Sequence, residues 1–218
     1  MEIKEDKHIG QGSYVIAEWD SVQAENAVFQ RALASLDQKM ITKCNADWSP
    51  LRFNLGKSLS PGDGQYGRTT ILPELFDDHS GTAMAHWRQL FTTAGHQTLI
   101  AGNGAGNTIP EDFKIAWAGL AFPNKQQHIS EIKWQIGDRK YGRINIEEIK
   151  SYNKPAIIFE EGYVLDEEES FDLYGYVEGP IAVSEPFIAG LYQRIVMLGA
   201  AYFKRVSKVL GTCGAAIT

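Results

Sequence analysis

The chain has 218 residues, of which 44% are hydrophobic and 22% charged, and 21 basic against 27 acidic side chains give a net charge of −6. This composition is typical of a folded globular protein and excludes disordered and fibrous classes, while the negative charge argues against a broad surface for nucleic acid or anionic lipid. Two cysteines, Cys44 and Cys213, are too few for a disulfide scaffold, although one bridge between them stays open. The N-terminus lacks the basic and then apolar layout of a signal peptide, so we expect no secretory leader.

The first 95 residues are predicted to form a helical and loop-rich arm. Apolar residues recur at helical spacing from Ser21 to Lys43, which predicts one amphipathic helix. Residues 49–70 are rich in glycine and proline and indicate a long connection. A second short helix is predicted from Ser80 to Thr92. Because a segment of this size and composition cannot bury an independent core, we expect residues 1–95 to pack on a body formed by residues 96–218.

Short strand-like segments follow from His96 onward. The predicted strands are His96–Ala101, Phe113–Phe122, His128–Ile136, Arg143–Ile149, Ala156–Glu160 and Ser170–Val177. Alternation supports several of them: Ile132, Trp134 and Ile136 share one face, with polar residues between them. Gly137–Tyr141 suits a hairpin loop because its glycine can take a positive φ angle. Strands at this spacing predict a mainly β fold, an antiparallel, jelly-roll-like β-sandwich with an N-terminal helical segment.

The last apolar segment, Phe187–Leu210, has two interpretations. As a helix it carries a continuous apolar stripe from Ile188 to Val209 and ends before a glycine, and the periodicity favours this interpretation. As a strand pair, Gln193–Arg205 would close the sandwich, with Gly199 at a bulge. A membrane span is not predicted, because polar residues interrupt an apolar stretch that is too short.

No motif for a known chemistry stands out. A nucleophile, a base and an orienting group do not occur at a recognisable spacing, so we expect no enzymatic activity, no cofactor and no metal. The acidic run Asp166–Glu169 and the pair Glu160–Glu161 offer oxygen ligands for a hard cation, but they lack the spacing of a calcium loop and are typical of solvated turns. The cluster Asp77–His79, with His86 seven residues later, is the one local grouping around a histidine.

Aromatic residues are frequent from residue 96 onward. At alternating strand positions these rings, which include Trp117, Trp134, Phe171, Tyr174 and Tyr176, are predicted to lie mostly in the core. Tyr141 and Tyr163 lie in predicted turns and are the candidates for an exposed ring platform. Such a platform would suit sugar stacking or a subunit contact.

Charge is unevenly distributed along the chain. Residues 147–178 contain ten acidic and two basic residues, a charge of −8, which leaves +2 for the remainder. Residues 186–218 contain four basic residues and no acidic one. Opposite patches favour head-to-tail association, although solvated faces without a partner are an equal alternative. The predicted assembly interface consists of Lys204, Arg205, Lys208, Glu167, Glu168 and Glu169.

One resemblance gives these features a function. The segments Glu131–Asp138, Pro155–Tyr163 and Arg194–Gly199 are similar in texture to the jelly-roll coat proteins of icosahedral viruses. The resemblance covers about half of the chain and implies a structural, self-assembling protein, a virion coat or capsid subunit. It also implies that the partners are copies of the chain or other coat proteins, without direct nucleic-acid binding, and that the location is the virion; otherwise we expect a cytoplasmic protein.

Two other function classes stay open at this point. The first is a carbohydrate-binding β-sandwich module, for which exposed coplanar aromatic rings would be the indication. The second is an enzyme with a carboxylate or metal site, which requires acidic side chains that converge in a pocket.

Overall fold

The computed structural model describes residues 27–48, 66–124, 127–151, 156–179 and 191–204. The predicted fold class is confirmed: the described chain is mainly β, its strands are antiparallel and a helix precedes them. The helices are α1 (Ala27–Trp48) and α2 (Ile146–Ser151), with a short 3-10 helix at Pro73–Leu75. The strands are β1 (Tyr66–Thr70), β2 (Phe76–Asp78), β3 (Arg88–Phe91), β4 (Gly95–Gly102), β5 (Phe113–Ala121), β6 (Ile129–Ile136), β7 (Arg139–Lys140), β8 (Ile144–Asn145), β9 (Ala156–Leu165), β10 (Phe171–Val177), β11 (Leu191–Arg194) and β12 (Val196–Lys204).

Two sheets form the body of the molecule. Sheet 1 has the strand order β1-β12-β5-β9, and sheet 2 has the order β2-β4-β10-β6-β7, with β8 also paired to β6. Strands β11 and β3 form a separate two-stranded sheet. Strands β1 and β2 come from the predicted N-terminal arm, and they pair with β12 and β4 of the body.

Sheet 2 shows the alternation that the sequence predicted. In β6, Ile132, Trp134 and Ile136 are buried and the residues between them are half-buried. The prediction that the aromatic residues of the strands lie mostly in the core is correct for Trp117, Trp134 and Phe171, but Tyr174 and Tyr176 are not core residues. Phe171, Leu173 and Val177 have the buried positions of β10, so the two tyrosines have the opposite parity, and Tyr176 is exposed.

Sheet 1 is covered on both faces. Side chains of one face pack against sheet 2, and those of the other face pack against α1. Strand β12 is therefore buried along almost its whole length and shows no alternation. The helix predicted for Phe187–Leu210 is wrong over the described residues 191–204, which form β11 and β12; the strand interpretation is confirmed, with a register shift beside Gly199.

The N-terminal predictions were partly correct. Helix α1 is confirmed and continues to Trp48, and residues 21–26 and 49–65 lie outside the described parts of the chain. The connection predicted over residues 49–70 is wrong at its end, where β1 forms. The helix predicted for Ser80–Thr92 is also wrong, because the Asp78 carboxylate accepts the backbone N–H groups of a turn there and the next residues alternate in burial as β3.

Two strand bounds also differ from the prediction. The strand expected at Arg143–Ile149 ends at Asn145, whose side-chain oxygen accepts the backbone N–H of Glu147 at 2.9 Å and so caps α2. Strand β9 continues beyond Glu160 to Leu165 through an irregularity opposite β5. Neither described helix is long and apolar enough to cross a membrane.

Candidate functional site

The largest charged cluster of the described residues surrounds Lys114, the second residue of β5. Its side chain is only 1% exposed, and its ammonium lies 3.0 Å from Asp47 and 3.2 Å from Glu167 and is also bonded to Asp166. We call these four residues the Lys114 cluster. Since a buried ammonium is stable only when it is paired, the three carboxylates provide the compensation that burial requires.

The Lys114 cluster joins α1 to the sandwich. Asp47 lies in the last turn of α1, and Asp166 and Glu167 lie in the turn that follows β9. Next to Asp47, Trp48 donates its indole N–H to Glu167 at 3.0 Å, and its ring lies under the Lys114 ammonium at 5.0 Å from the ring centroid. One helical turn earlier, Lys43 pairs with Asp166 at 2.6 Å. The end of α1 is thus fixed by charge as well as by apolar packing.

The pKa values in the cluster are shifted in opposite directions. Burial alone would lower the pKa of Lys114, but hydrogen bonds to Asp166 and Asp47 and the nearby carboxylate charges outweigh it and raise the pKa above its usual range. Burial alone would raise the pKa of Asp166, but its bonds to Lys114 and Lys43 outweigh that effect and lower the pKa. Both shifts favour the charged forms, so the cluster is a set of ion pairs.

Asp47, Asp166 and Glu167 also have the composition of a cation site, since their oxygens lie within 4.8 Å of one another. The Lys114 ammonium contacts all three and supplies the positive charge at the centre of the group. The geometry therefore corresponds to an ion-pair network. Cys44 lies nearby in α1 and is fully buried, and burial raises the pKa of its thiol to about 12, so the thiol stays protonated.

The predicted assembly residues that the structure describes lie at one end of sheet 1. Glu167 belongs to the Lys114 cluster, the backbone N–H of Glu168 donates to Ile109, and the Glu169 carboxylate accepts the backbone N–H of Asp166. The ammonium of Lys204, at the end of β12, lies 3.4 Å from Asp112. Arg205 and Lys208 lie outside the described residues. The acidic turn and Lys204 thus flank the start of β5 at the same end of the sheet, where each has partners within the subunit.

The second candidate site is an open depression of about 460 Å³ between β9 and the β6–β7 turn. Tyr141 and Tyr163 line it and are both half-buried, and Tyr163 lies within β9 instead of in the predicted turn. Their ring centroids are 4.9 Å apart, but their planes are inclined at 71°, so the two rings do not form one flat platform. Tyr141 stacks instead on the Trp134 ring, at 15° between planes.

Polar groups surround this depression. Asp138, Arg139 and Glu169 line it beside the two tyrosines. The Trp134 indole is buried, interacts with the Tyr163 hydroxyl and packs against both tyrosine rings. Burial is the main cause that raises the pKa of the Tyr163 hydroxyl, so this group stays neutral at physiological pH. The depression thus combines aromatic edges with a carboxylate and a guanidinium.

Sequence reasoning missed the Lys114 cluster. Its signal was present, since Lys114 is the only charged residue in the otherwise apolar run 113–122. A second network that was not predicted surrounds Asp37 of α1, whose carboxylate accepts hydrogen bonds from the Arg68 guanidinium at 3.0 Å and from the Tyr202 hydroxyl. Both groups pair residues far apart in the chain, and local spacing carries no information about such pairs.

The comparisons with known proteins give no relatives. No protein-family model matches the chain, and no curated protein or solved structure matches it either.

Proposed function

We propose that the chain is a structural, self-assembling protein, a virion coat or capsid subunit of the jelly-roll kind. The observation that supports this proposal is the open edge of sheet 1 at β9. This ten-residue strand pairs with β5 on one side, and no described strand pairs with its other side. An unpaired strand edge presents a row of backbone donors and acceptors to another chain.

The first part of β9 is suited to such a contact. Ala156, Ile157, Ile158 and Phe159 are all apolar and all half-buried, so their side chains are covered by α1 and by the sandwich on one flank only. β-Branched and aromatic residues at an edge favour pairing with a further strand. A second copy that covers this edge would bury the remaining apolar surface.

The rest of the subunit provides a rigid support for the edge. Phe159 packs against Trp117 at 4.9 Å, and the Lys114 cluster fixes the turn that follows β9. These contacts anchor β9 to the sandwich at Phe159 and at the turn that follows the strand. The charged groups that the fold brings together bind one another, which is typical of a structural role.

The mass of the purified protein as a function of concentration tests this proposal. We expect multimers by light scattering and particles or rings by electron microscopy. Ala156→Lys places a charge at the β9 edge and should shift the mass toward the 24.3 kDa monomer. Val28→Lys, at an exposed position of α1, is the matched control and should leave the mass unchanged. A wild-type protein that stays monomeric at every concentration would refute self-assembly.

A second candidate function is carbohydrate binding, which the depression beside Tyr141 favours. Sugar rings stack on aromatic faces and hydrogen-bond to carboxylates and guanidinium groups, and Tyr141, Glu169 and Arg139 offer these groups around one depression. Screening the protein against immobilised glycans tests this function. We expect any binding to be lost in Tyr141→Ala and retained in Tyr192→Ala, which removes an exposed tyrosine elsewhere. Binding that survives Tyr141→Ala would exclude this site.

A further inference from the structure

The two edges of sheet 1 run in opposite chain directions. Sheet 1 contains four strands, and each pairs antiparallel with its neighbour, so β1 at one edge is antiparallel to β9 at the other. When a second copy is placed beside the first in the same orientation, its β1 therefore lies antiparallel to β9 of the first. A sheet with an odd number of strands would bring parallel edges together. The topology thus permits head-to-tail continuation of the sheet with the commoner strand pairing.

The four edge strands of the sandwich define two sides of the molecule. Strands β9 and β7 lie on one side, because Tyr163 of β9 and Tyr141, which follows β7, are in ring contact. Strands β1 and β2 belong to the opposite side, since each occupies the other end of its sheet and only residues 71–75 separate them. We call these the β9–β7 side and the β1–β2 side.

The charges on the two sides are complementary in both sheets. In sheet 1, β9 carries the exposed acids Glu160 and Glu161, and β1 carries the exposed Arg68. In sheet 2 the signs of the charges are exchanged between the two sides, because β7, on the same side as β9, consists of the exposed Arg139 and Lys140. The matching strand β2 carries Asp77 and Asp78, both half-buried, and its outer edge is covered by residues 82–84 of the same chain, so β2 contributes charge and not an open strand edge.

Each side of the molecule thus carries acids on one sheet and bases on the other. This pattern distinguishes between two possible partners for β9: the β9 strand of another copy, or its β1 strand. A two-fold contact of β9 with β9 of another copy would bring two pairs of acids together, and it would also bring the β7 cations together. Head-to-tail contact places acid opposite base in both sheets. Like charges placed opposite each other disfavour a contact, so the charge pattern selects the head-to-tail arrangement.

Part of this charge also has partners within the subunit. Arg68 binds Asp37 at 3.0 Å but remains 37% exposed, and Asp78 binds the turn at Ser80 and Thr82. Arg139 and Lys140 are in no ion pair that the described residues form. Among the described residues, the β7 cations are therefore the part of the pattern that has no ion-pair partner within the subunit.

We propose that the β9–β7 side of one copy binds the β1–β2 side of the next, with the β9 edge extended by β1 of the neighbour. This inference rests on the proposed self-assembly and names its partner surface, a second copy in the same orientation. In this contact Glu161 lies opposite Arg68, a register that also brings Glu160 opposite Thr69. Each contact relates one copy to the next by the same rotation. Repeated contacts therefore form a ring if the rotations add up to a full turn, and a filament if they do not.

Cysteine cross-linking tests the arrangement. On a Cys213→Ser background, Glu160→Cys marks β9 and Thr69→Cys marks β1, while the native Cys44 is fully buried. We expect each single variant to stay uncross-linked after mild oxidation, a mixture of the two to give dimers, and the double variant to give a ladder of dimers and higher multimers. Circular dichroism of each variant verifies that it is folded.

The outcomes separate this inference from the proposed function. Dimers from Glu160→Cys alone would show two-fold pairing and overturn the head-to-tail arrangement. A wild-type protein that assembles by mass, while neither the mixture nor the double variant cross-links, would also overturn it and leave self-assembly standing. A wild-type protein that stays monomeric at every concentration would refute both.

A charge-reversal variant provides a second test that leaves the strands intact. Arg139→Glu with Lys140→Glu reverses β7 at two exposed positions, and we expect it to abolish the multimers at low salt. The control is Lys39→Glu, at an exposed position of α1, which should assemble like the wild type. Equal assembly of the β7 variant and the wild type at low salt would contradict the charge pattern.

Discussion

The two apolar layers of the molecule are built differently. Between the sheets, large aromatic side chains interlock: Trp117 lies 5.5 Å from Trp134, 4.9 Å from Phe159 and 5.3 Å from Phe171, with edge-on ring contacts. Between sheet 1 and α1, the sheet contributes mainly small residues such as Ala116 and Ala118, and α1 contributes the larger ones. We call these the sandwich core and the helix layer.

The difference lies in what fixes each layer. The sandwich core is held by strands that enter it from both sheets, so removing one contact leaves many others. The helix layer depends on one element, α1, whose last turn is tied down by the Lys114 cluster. We therefore expect changes in the sandwich core to affect global stability, and changes in the helix layer to affect first the attachment of α1.

The largest effect is expected for Trp117→Ala in the sandwich core. Trp117 is fully buried, and its truncation should lower the free energy of unfolding by about 3 to 5 kcal/mol through lost burial and the cavity left behind. Denaturant unfolding followed by circular dichroism measures this loss. Tyr192→Ala, which truncates an exposed aromatic residue, is the control and should change stability little. A loss for Trp117→Ala as small as for the control would mean that the sandwich core does not set global stability.

Lys114→Met should have the next largest effect and should act on the helix layer. The substitution keeps the volume of the side chain but leaves three carboxylates without their common cation, which should cost about 3 kcal/mol. Relative to the wild type, the substitution should accelerate hydrogen exchange in α1 more than in β6. Lys133→Met, on the outer face of sheet 2, is the matched control with a predicted loss below about 1 kcal/mol. Uniform faster exchange in all elements would contradict a helix-specific role.

The same cluster predicts how stability depends on pH. The pKa of Asp166 is lowered on folding, so its contribution is present above the unfolded value of about 3.9 and is lost as the pH falls through the folded value. The pKa of Lys114 is raised, so its contribution is present below about 10.4 and is lost as the pH rises through the folded value. The stability difference between the wild type and Lys114→Met should therefore shrink as the pH falls, because protonation removes the carboxylate charge that Lys114 compensates. A difference that grows on acidification would contradict the ion-pair network.

The comparison also explains what could be predicted from the sequence. Sheet 2 is covered on one face, so Ile132, Trp134 and Ile136 alternate with polar residues and the strand was predicted correctly. Strand β12 of sheet 1 is covered on both faces and is an unbroken apolar run, which periodicity cannot distinguish from a buried helix. Because the helix layer covers the second face of β12, the strand has no polar face and was not recognised from its sequence.

The candidate sites were less accessible to prediction than the fold. Tyr141 and Tyr163 were predicted to be exposed turn residues, whereas both are half-buried, Tyr163 lies within β9, and the angle between their rings depends on tertiary packing. Glu167 was expected to face another subunit, whereas it binds Lys114 and Trp48 within its own. Pairings between residues more than fifty positions apart are set by the topology of the sheets, which no local pattern of residue types encodes.

A smaller effect is expected for Gly162→Ala at the contact between β9 and α1. Gly162 has a φ of +63°, and a Cβ atom there would lie 2.4 Å from Leu36 of α1 and 2.9 Å from the Trp117 carbonyl oxygen. The strain and the displaced helix should cost about 1 to 3 kcal/mol in thermal or denaturant unfolding. Gly142→Ala is the control, because a Cβ atom at Gly142 meets nothing within 4 Å. Equal stability of the two variants would show that α1 does not approach β9 this closely.

The smallest effect is expected for Arg68→Gln, at the opposite edge of the helix layer. Arg68 binds Asp37 of α1 at 3.0 Å, as Lys114 binds Asp47, but the Arg68 side chain is 37% exposed and its pair is screened by water. Removing it should cost about 0 to 1 kcal/mol, with the effect reduced further at high salt. Asp37 keeps its bond to the buried Tyr202 hydroxyl in this variant, so α1 should show unchanged hydrogen exchange. If Arg68→Gln released α1 as strongly as Lys114→Met, the helix layer would be fixed equally at both edges, and burial of Lys114 would not be what makes its ion pairs strong.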